Sequence, residues 1–502
     1  MIDGVFGDLN MLNSIAPADI ESITILKDAS ETAQYGSRGA AGVLVVTTAK
    51  GKRGFSSLDY DGFIGVNTVY KDVDVLSAAD YRSKASALGM SIVDRGGNTN
   101  WFDMIERKTG ITQTHNVSFS NGGENGNVRA SIGYNHRDGA IKTSYMNNYT
   151  AKFNLSQYAF DKKVKFDLGI FASERAGTNF RENRMIFYSA MAYNPTFPDH
   201  VNPETGAWDE NGACPVRGDA WDENGEASEV NNPAGYLNID NKTKSTSVNT
   251  NARVTWTIVD GLNLSAFGSY NKRSTLGKLF VPNNIENGRV ERGRAQLTTA
   301  ENSDLMGNIQ LSYEKEFGRH HIDALALAEA QKYSTFNYST YTTGFDTNYF
   351  KFNNLEAGST IQYGNSTSNA TEYVLSSYMA RLNYSFADKY ILTANVRTDG
   401  SSKLGNGYKW GFFPSISGAW VISNEPFMRN LSKVSNLKLR VGYGVTGNQD
   451  AISPYNSLSL LAPNGITSYN GVTTTTFAVQ SNDNPDLKWE TTITRNIGLD
   501  YV

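Results

Sequence analysis

The chain carries one cysteine, Cys214, in 502 residues. A single thiol provides no internal disulfide framework, and Cys214 reads as an ordinary loop thiol. No run of 18 or more apolar residues occurs, and the mean hydropathy is -0.43. That excludes a helical membrane protein. It leaves a transmembrane barrel open, because barrel strands carry only one apolar face. Charge of either sign is nearly balanced, with 46 Lys+Arg against 50 Asp+Glu. No basic stripe appears, so nucleic acid is not an expected partner. The five histidines are His115, His136, His200, His320 and His321. None lies in an HxxxH, HExxH or CxxC setting, so no zinc, and no other metal or cofactor, is expected. His320-His321 reads as part of a solvated turn. No GxSxG elbow is present, which removes the signal for a barrel lipase. No pair of facing carboxylates for glycoside hydrolysis can be assigned. The chain reads as a non-enzyme.

Aromatics are abundant, at 27 Tyr and 24 Phe. That excess suits the interfacial girdles of a membrane barrel, and a carbohydrate-binding β-protein would share it. From Phe55 onward the chain alternates with period 2. Ala130, Ile132 and Tyr134 alternate with Arg129 and Ser131. Phe153 and Leu155 alternate with Lys152 and Asn154, and Val254 and Trp256 with Arg253 and Thr255. Leu382 and Leu439 alternate with Arg381 and Arg440. One face is apolar and the other carries full charges. A soluble sandwich buries the apolar face, whereas a membrane barrel turns it to lipid.

Connection lengths separate these two readings. Short turns at Ala159–Lys162, Val259–Leu262, Glu316–Arg319 and Ala387–Lys389 alternate with long polar stretches. Those are expected from about Gly177 to Lys244, Leu276 to Ser303 and Tyr333 to Thr371. Short turns at one end and long loops at the other mark an outer-membrane barrel, here with roughly 14 strands. One helix interrupts the series at Leu76–Leu88, with Ser77 as its N-cap and Gly89 as its stop.

Before the first barrel strand lies a different block, residues 19–48. Ile20–Leu26 reads as a strand. Asp28 with Glu31 makes a capping box for a short helix, which Gly36 ends by taking the left-handed C′ position. Val43–Thr48 is a second strand. Gly36, Gly39 and Gly42 do not make a phosphate loop, because the helix precedes them and no Lys-Ser or Lys-Thr follows. Lys50–Gly54 is a basic, glycine-rich linker that reads as a solvated turn.

This block closely resembles the end of the plug domain in TonB-dependent outer-membrane transporters of the SusC/RagA family. The matching residues are Asp3-Gly4-Val5, Lys27-Asp28-Ala29-Ser30, Tyr35-Gly36, Arg38-Gly39-Ala40 and Gly42-Val43. The resemblance continues through Asn100-Trp101, Arg397–Lys403, Glu425-Pro-Phe427, Asn436–Arg440 and Asn484–Thr491. It implies a mainly β fold: an antiparallel transmembrane β-barrel with the C-terminal part of an α/β plug. Residues 1–50 are expected to be the plug portion. Residues 51–502 are expected to be a partial barrel, truncated at both chain ends, so that the sheet stays open.

The resemblance further implies active import of oligosaccharides or peptides across a Gram-negative, Bacteroidota-like outer membrane. The implied partners are a SusD-like surface lipoprotein, the TonB-ExbB-ExbD energy complex, the cargo and outer-membrane lipid. Lys27, Asp28, Tyr35, Gly36, Arg38, Gly39 and Gly42 are the candidate gating residues. A siderophore or cobalamin receptor of the same broad class, and a secreted carbohydrate-binding β-protein, remain as alternatives.

Trp208-Asp-Glu-Asn-Gly212 recurs as Trp221-Asp-Glu-Asn-Gly225. Oxygen ligands and stacking rings are available there, but Asn-Gly favours turns over a calcium site. Trp208 and Trp221 are the candidate contacts to cargo or lid. In the barrel reading, Ile132, Tyr134, Phe153, Leu155, Val254, Trp256, Leu382 and Leu439 face lipid. Arg129, Lys152, Arg253, Arg381 and Arg440 then face the lumen.

Overall fold

β-Branched and aromatic residues at every second position build one large antiparallel sheet around a small N-terminal segment. The computed structural model describes residues 1–26, 32–39, 42–52, 54–70, 73–94, 96–178, 185–197, 232–283, 285, 291–428 and 434–502. Strands β1 (Ile20–Leu26) and β2 (Val43–Thr48) pair with each other. The large sheet begins with β3 (Ser56–Thr68), β4 (Thr109–Gly122), β5 (Gly126–Asp138), β6 (Tyr145–Ala159) and β7 (Val164–Thr178). It continues with β8 (Asp240–Val259), β9 (Leu262–Val281), β10 (Arg294–Phe317) and β11 (His320–Phe345), the last also pairing the short β12 (Gly358–Thr360). Then come β13 (Ser366–Phe386), β14 (Tyr390–Ser401), β15 (Trp410–Val421) and β16 (Leu437–Asn448). A separate hairpin, β17 (Leu460–Tyr469) with β18 (Val472–Ser481), precedes β19 (Glu490–Tyr501), which returns to β16.

Fourteen strands thus follow one another from β3 to β19. The sheet is open: among the described residues β3 pairs only with β4, and β19 only with β16. Every neighbour is antiparallel, so connections alternate between two ends. One end carries tight turns, such as Asp260-Gly261 between β8 and β9. Gly261 has φ of 80°, and a Cβ there would lie 2.2 Å from the Glu314 carbonyl oxygen. The other end carries the long connections. Helix α2 (Ala78–Ala87) lies there after the short α1 (Leu9–Leu12) of the N-terminal segment, with Ser77 accepting from the Asp80 amide at 3.1 Å and Gly89 at φ of 66°. So do α3 (Trp101–Ile105) and α4 (Met185–Ala192), which bury Trp101, Phe102, Ile105 and Ile186 in one apolar cluster with Tyr193 and Tyr236. Asn100 caps α3 through the Phe102 amide.

The outward face is apolar and exposed. Ile132 is 65% exposed and Trp256 48%, and Val254 and Leu382 are likewise exposed, with Tyr134, Phe153, Leu155 and Leu439 partly so. At the short-turn end Phe317, His320, Tyr384, Phe386 and Tyr390 form a chain of ring contacts. Toward the loop end Tyr378 packs on Trp410, and Tyr134 on Tyr149. Tyr378 and Phe386 stand about 27 Å apart along β13, close to the ~25 Å apolar band between aromatic girdles. His320 and His321 are therefore strand residues of this girdle region, not part of a solvated turn.

Two expected loops are strands. The stretch Leu276–Ser303 is mostly the facing ends of β9 and β10, and Tyr333–Thr371 is largely β11 and β13. β11 has 26 residues, about 88 Å of strand, where a spanning strand needs about 9–11. The excess runs beyond any bilayer, and there the strict alternation loosens: threonine, serine and asparagine are frequent, with Tyr333, Phe336, Tyr338, Tyr341 and Phe345 among them.

The expected helix after β1 is also altered. Residues 27–31 lie outside the described residues. Residues 33–39 form a 3-10 turn that kinks at Gly36, with φ of 62° and ψ of -144°. Gly36 has the positive φ expected of it, but it bends the turn instead of ending a helix in the left-handed region. Arg397 and Asp399 of the sheet occupy the place a Cβ on this glycine would need.

The outer edges of β3 and β19 carry backbone donors and acceptors with no strand partner, which lipid cannot satisfy. The 502-residue chain by itself is expected to aggregate and to give no heat-modifiable band in vesicles. A heat-resistant, membrane-inserted form of this chain alone would contradict that reading of the edges.

Candidate functional site where the N-terminal segment meets the sheet

Alternation turns the charged face of each strand inward, and the N-terminal segment occupies the space it encloses. On β5, Arg129 donates to Asp19 at 3.0 Å and Ser131 to the same carboxylate at 2.6 Å. On β6, Lys152 pairs with Asp3 at 3.5 Å, and Asn154 reaches Thr48 and Ala49. On β7, Phe171 joins Ile2, Met11, Ile15 and Val46 in a small apolar cluster. On β9 and β10, Phe267 and Met306 pack on Val5, and Arg273 pairs with Asp8 at 2.7 Å. A segment of about fifty residues touches one face of β5 through β14. At about 4.8 Å per strand the nine wall strands among them would span about 38 Å if flat, so the sheet curves around the segment.

The densest contact is at the 3-10 turn. Arg38 donates to Glu329 at 2.6 Å and to Gln331, both on β11, and its guanidinium lies 3.4 Å from the Phe6 ring centroid. Tyr35 meets the other side of Phe6 edge-on at 6.4 Å. Burial pushes the Arg38 guanidinium down from its usual value, and Glu329 beside it pulls the other way. Gln331 in turn donates to both oxygens of Asp304. From the next strands, Arg397 donates to the Gln34 carbonyl at 2.8 Å and to Asp399 at 2.7 Å, and Arg381 donates to the Gln34 side chain at 2.9 Å.

Gly36 sits directly over this pair. A Cβ there would lie 2.4 Å from Arg397 Nε and 2.6 Å from Asp399 Oδ2. That carboxylate oxygen is buried and accepts no hydrogen bond among the described residues. Gly39 closes the 3-10 turn, and Gly42 precedes β2 with φ of 99°.

The structure brings Gly36 and Arg38 to the segment–sheet contact, with Tyr35 beside them on Phe6, whereas Gly39 and Gly42 face Thr32 and Leu26 of the segment itself. Lys27 and Asp28 lie outside the described residues, as do Trp208 and Trp221. Of the five expected lumenal cations, Arg129, Lys152 and Arg381 bond the segment. Arg253 lies over the Phe267 ring at 4.6 Å, and Arg440 pairs with Asp500 on β19 at 2.9 Å. Glu329, Gln331, Asp304, Arg397 and Asp399 were not assigned to the site from sequence. The signal was present in part: Arg397 and Asp399 put full charges on one face of β14, where both are buried, and Lys403 just beyond the strand is buried too. Among the described residues no cluster of three or more His, Cys, Asp or Glu could hold a metal.

Gly36→Ala forces a side chain against the Arg397–Asp399 pair at a positive φ. The backbone term alone is about 1–3 kcal/mol. In the full-length protein the substitution is expected to loosen the segment, read as faster proteolysis of residues 1–50 and greater cell sensitivity to a large hydrophilic antibiotic. Wild-type protection and resistance would show that Arg397 moves aside at no cost.

Comparison with known proteins agrees with this architecture. The family described as TonB dependent receptor-like, beta-barrel, matches residues 198–502. The chain is 32% identical to the TonB-dependent receptor SusC of Bacteroides thetaiotaomicron, over 99% of this chain and 50% of that protein. It is 31% identical to the TonB-dependent receptor P3 of Formosa agariphila, over 100% of this chain and 49% of that one. The chain thus spans about half the length of the curated relatives it matches. The solved RagAB peptide transporter superposes with a TM-score of 0.80 at 20% identity, over all of this chain and 59% of that one. The unliganded ferric citrate transporter FecA gives 0.51 at 10% identity, over 87% and 50%. The chain belongs to the TonB-dependent receptors of the outer membrane, in their SusC/RagA-like branch.

Proposed function

We propose that the protein containing this chain imports oligosaccharides or peptides actively across the outer membrane. Residues 1–50 act as the C-terminal part of a plug, and residues 51–502 as part of the barrel wall, with further strands completing the cylinder. The TonB-ExbB-ExbD complex supplies the force on the plug, and a SusD-like lipoprotein covers the loop end. Trp208 and Trp221 are assigned to contact with cargo or lid, and Arg38 with the glycines around it to gating.

The observation that carries this reading is the bonding of the segment to the wall. It is held mainly by discrete ion pairs and hydrogen bonds, with only small apolar clusters. A dry apolar interface would need its whole area exposed at once to open. Charged contacts can instead exchange one by one with water entering the lumen. A passive pore has no use for such a segment.

Uptake of a labelled cargo by cells producing the full-length protein tests the proposal. It is expected to stop when TonB is deleted and to fall when the lid lipoprotein is removed. Arg38→Ala leaves Glu329 buried without its main partner, a loss of the kind that costs about 3–5 kcal/mol. It is expected to make passage partly independent of TonB. Uptake of the same cargo at the wild-type rate without TonB would identify a passive channel.

A further inference from the structure

Three arginines form a line on the lumenal wall, and one of them, Arg273, is bonded to Asp8 of the N-terminal segment. Arg137, Arg175 and Arg273 lie on β5, β7 and β9, each at an inward position of its strand. The inward phase follows from Ser131 bonding Asp19, Phe171 packing on Ile2, and Arg273 bonding Asp8. The register places them on a diagonal. Arg137 is level with Met146 and, through it, with Gly177, so Arg175 sits one inward repeat closer to the short-turn end. Arg175 is level with Ser245 and Thr275, so Arg273 sits one further repeat down. Each step crosses two strands and descends two residues, which is about 10 Å sideways and 7 Å down, or about 12 Å between successive Cα atoms. The line begins at the loop end and runs along the segment, whose Leu12–Pro17 stretch borders the first cavity and Ser14 the second, down to Arg273 at Asp8.

Open space accompanies the line. Arg137 and Arg175 share a cavity of about 530 Å³, and Arg175 and Arg273 share the next, of about 520 Å³. Both fall within the roughly 300–1,000 Å³ of small-ligand sites. Arg137 and Arg175 have no hydrogen-bond or ion-pair partner among the described residues. The second cavity is lined otherwise mostly by hydroxyls and amides, including Ser173, Thr243, Ser245, Ser247 and Asn302, with Met146, and among the described residues no carboxylate lines it. That wall offers hydrogen bonds to a hydroxyl-rich chain, while the first cavity adds apolar side chains of the segment such as Leu12, Ile15 and Ile20.

We infer that this diagonal is a binding track for an anionic oligosaccharide, one carrying carboxylate or sulfate groups at intervals along the chain. The inference deepens the import reading and rests on it for its purpose. Guanidinium forks bind both anions through paired charge-assisted hydrogen bonds. The staggered spacing lets an extended chain exchange one anion from arginine to arginine as it moves toward the plug. Arg175, common to both cavities and bonded to nothing, is the central station.

The test uses purified full-length protein titrated with oligosaccharides of one length that are neutral, uronate-bearing or sulfate-bearing, alongside an acidic peptide. A charged oligosaccharide is expected to bind at least about tenfold more tightly than the neutral one, and the preferred anion identifies the chemistry. Arg175→Gln is expected to remove that advantage and flatten its salt dependence, and Arg175→Lys to restore part of it. Binding of the neutral chain should not change. Equal binding of neutral and charged chains, unchanged affinity in an Arg137→Gln/Arg175→Gln double variant, or preference for the peptide would each overturn the inference. Those outcomes leave TonB-dependent uptake standing, whereas charge selectivity with uptake independent of TonB would overturn active import and leave the track.

Discussion

A charge at the bilayer midplane costs about 2–4 kcal/mol on the lipid face of a barrel, and everything else in this structure follows from where the charges then go. A strand has two faces, so removing Arg129, Lys152, Arg253 and Arg381 from lipid commits them to the enclosed side. They arrive there in a space that is only partly wet. Cations half removed from water need partners, and Asp3, Asp19 and the Gln34 side chain supply them from the N-terminal segment. Arg38 reverses the arrangement, with the segment giving the cation and β11 the carboxylate. The polarity that makes the wall insoluble in lipid is the same polarity that seats the segment inside it.

This bonding scheme has a mechanical consequence. Ion pairs and hydrogen bonds act over short distances and can be replaced singly by water, so an interface built from them yields in steps. The two apolar clusters around Phe171 and Phe267 are small. They fix the depth of the segment without making its release all-or-none. Gly36 contributes by letting the turn lie directly on Arg397 and Asp399, where a Cβ would hold the backbone away.

Much of this was legible in the sequence because the physics behind it is local. Lipid imposes period 2 on every spanning stretch, and the girdle aromatics and tight turns mark where each ends. The inward set could be written from alternation alone. Two things could not. The long ends of β9, β10, β11 and β13 mix polar and apolar side chains without strict alternation, so their pairing is visible only in the register. The partners of Arg38 lie nearly three hundred residues away in sequence, on β11. The geometry at Gly36 was half legible: its positive φ follows from glycine, but its ψ of -144° and its seat against Arg397 and Asp399 on β14 have no local signal.

The same reasoning explains the two ends of the molecule. At the short-turn end the chain mostly needs only to reverse, and two to four residues suffice except between β15 and β16. At the other end the strands run past the apolar band, and the connections must find a core of their own. Trp101 against Tyr193, and Trp489 against Phe413 with its indole bonded to the Lys409 carbonyl, provide it. The Asn484–Thr491 motif is therefore a structural tie that fastens the start of β19 to the connection between β14 and β15. With that rim fixed by packing, the wall between rim and plug is left to hydroxyls, amides and three arginines. Arg273 is tied to Asp8 of the segment, whereas Arg137 and Arg175 carry no such bond among the described residues.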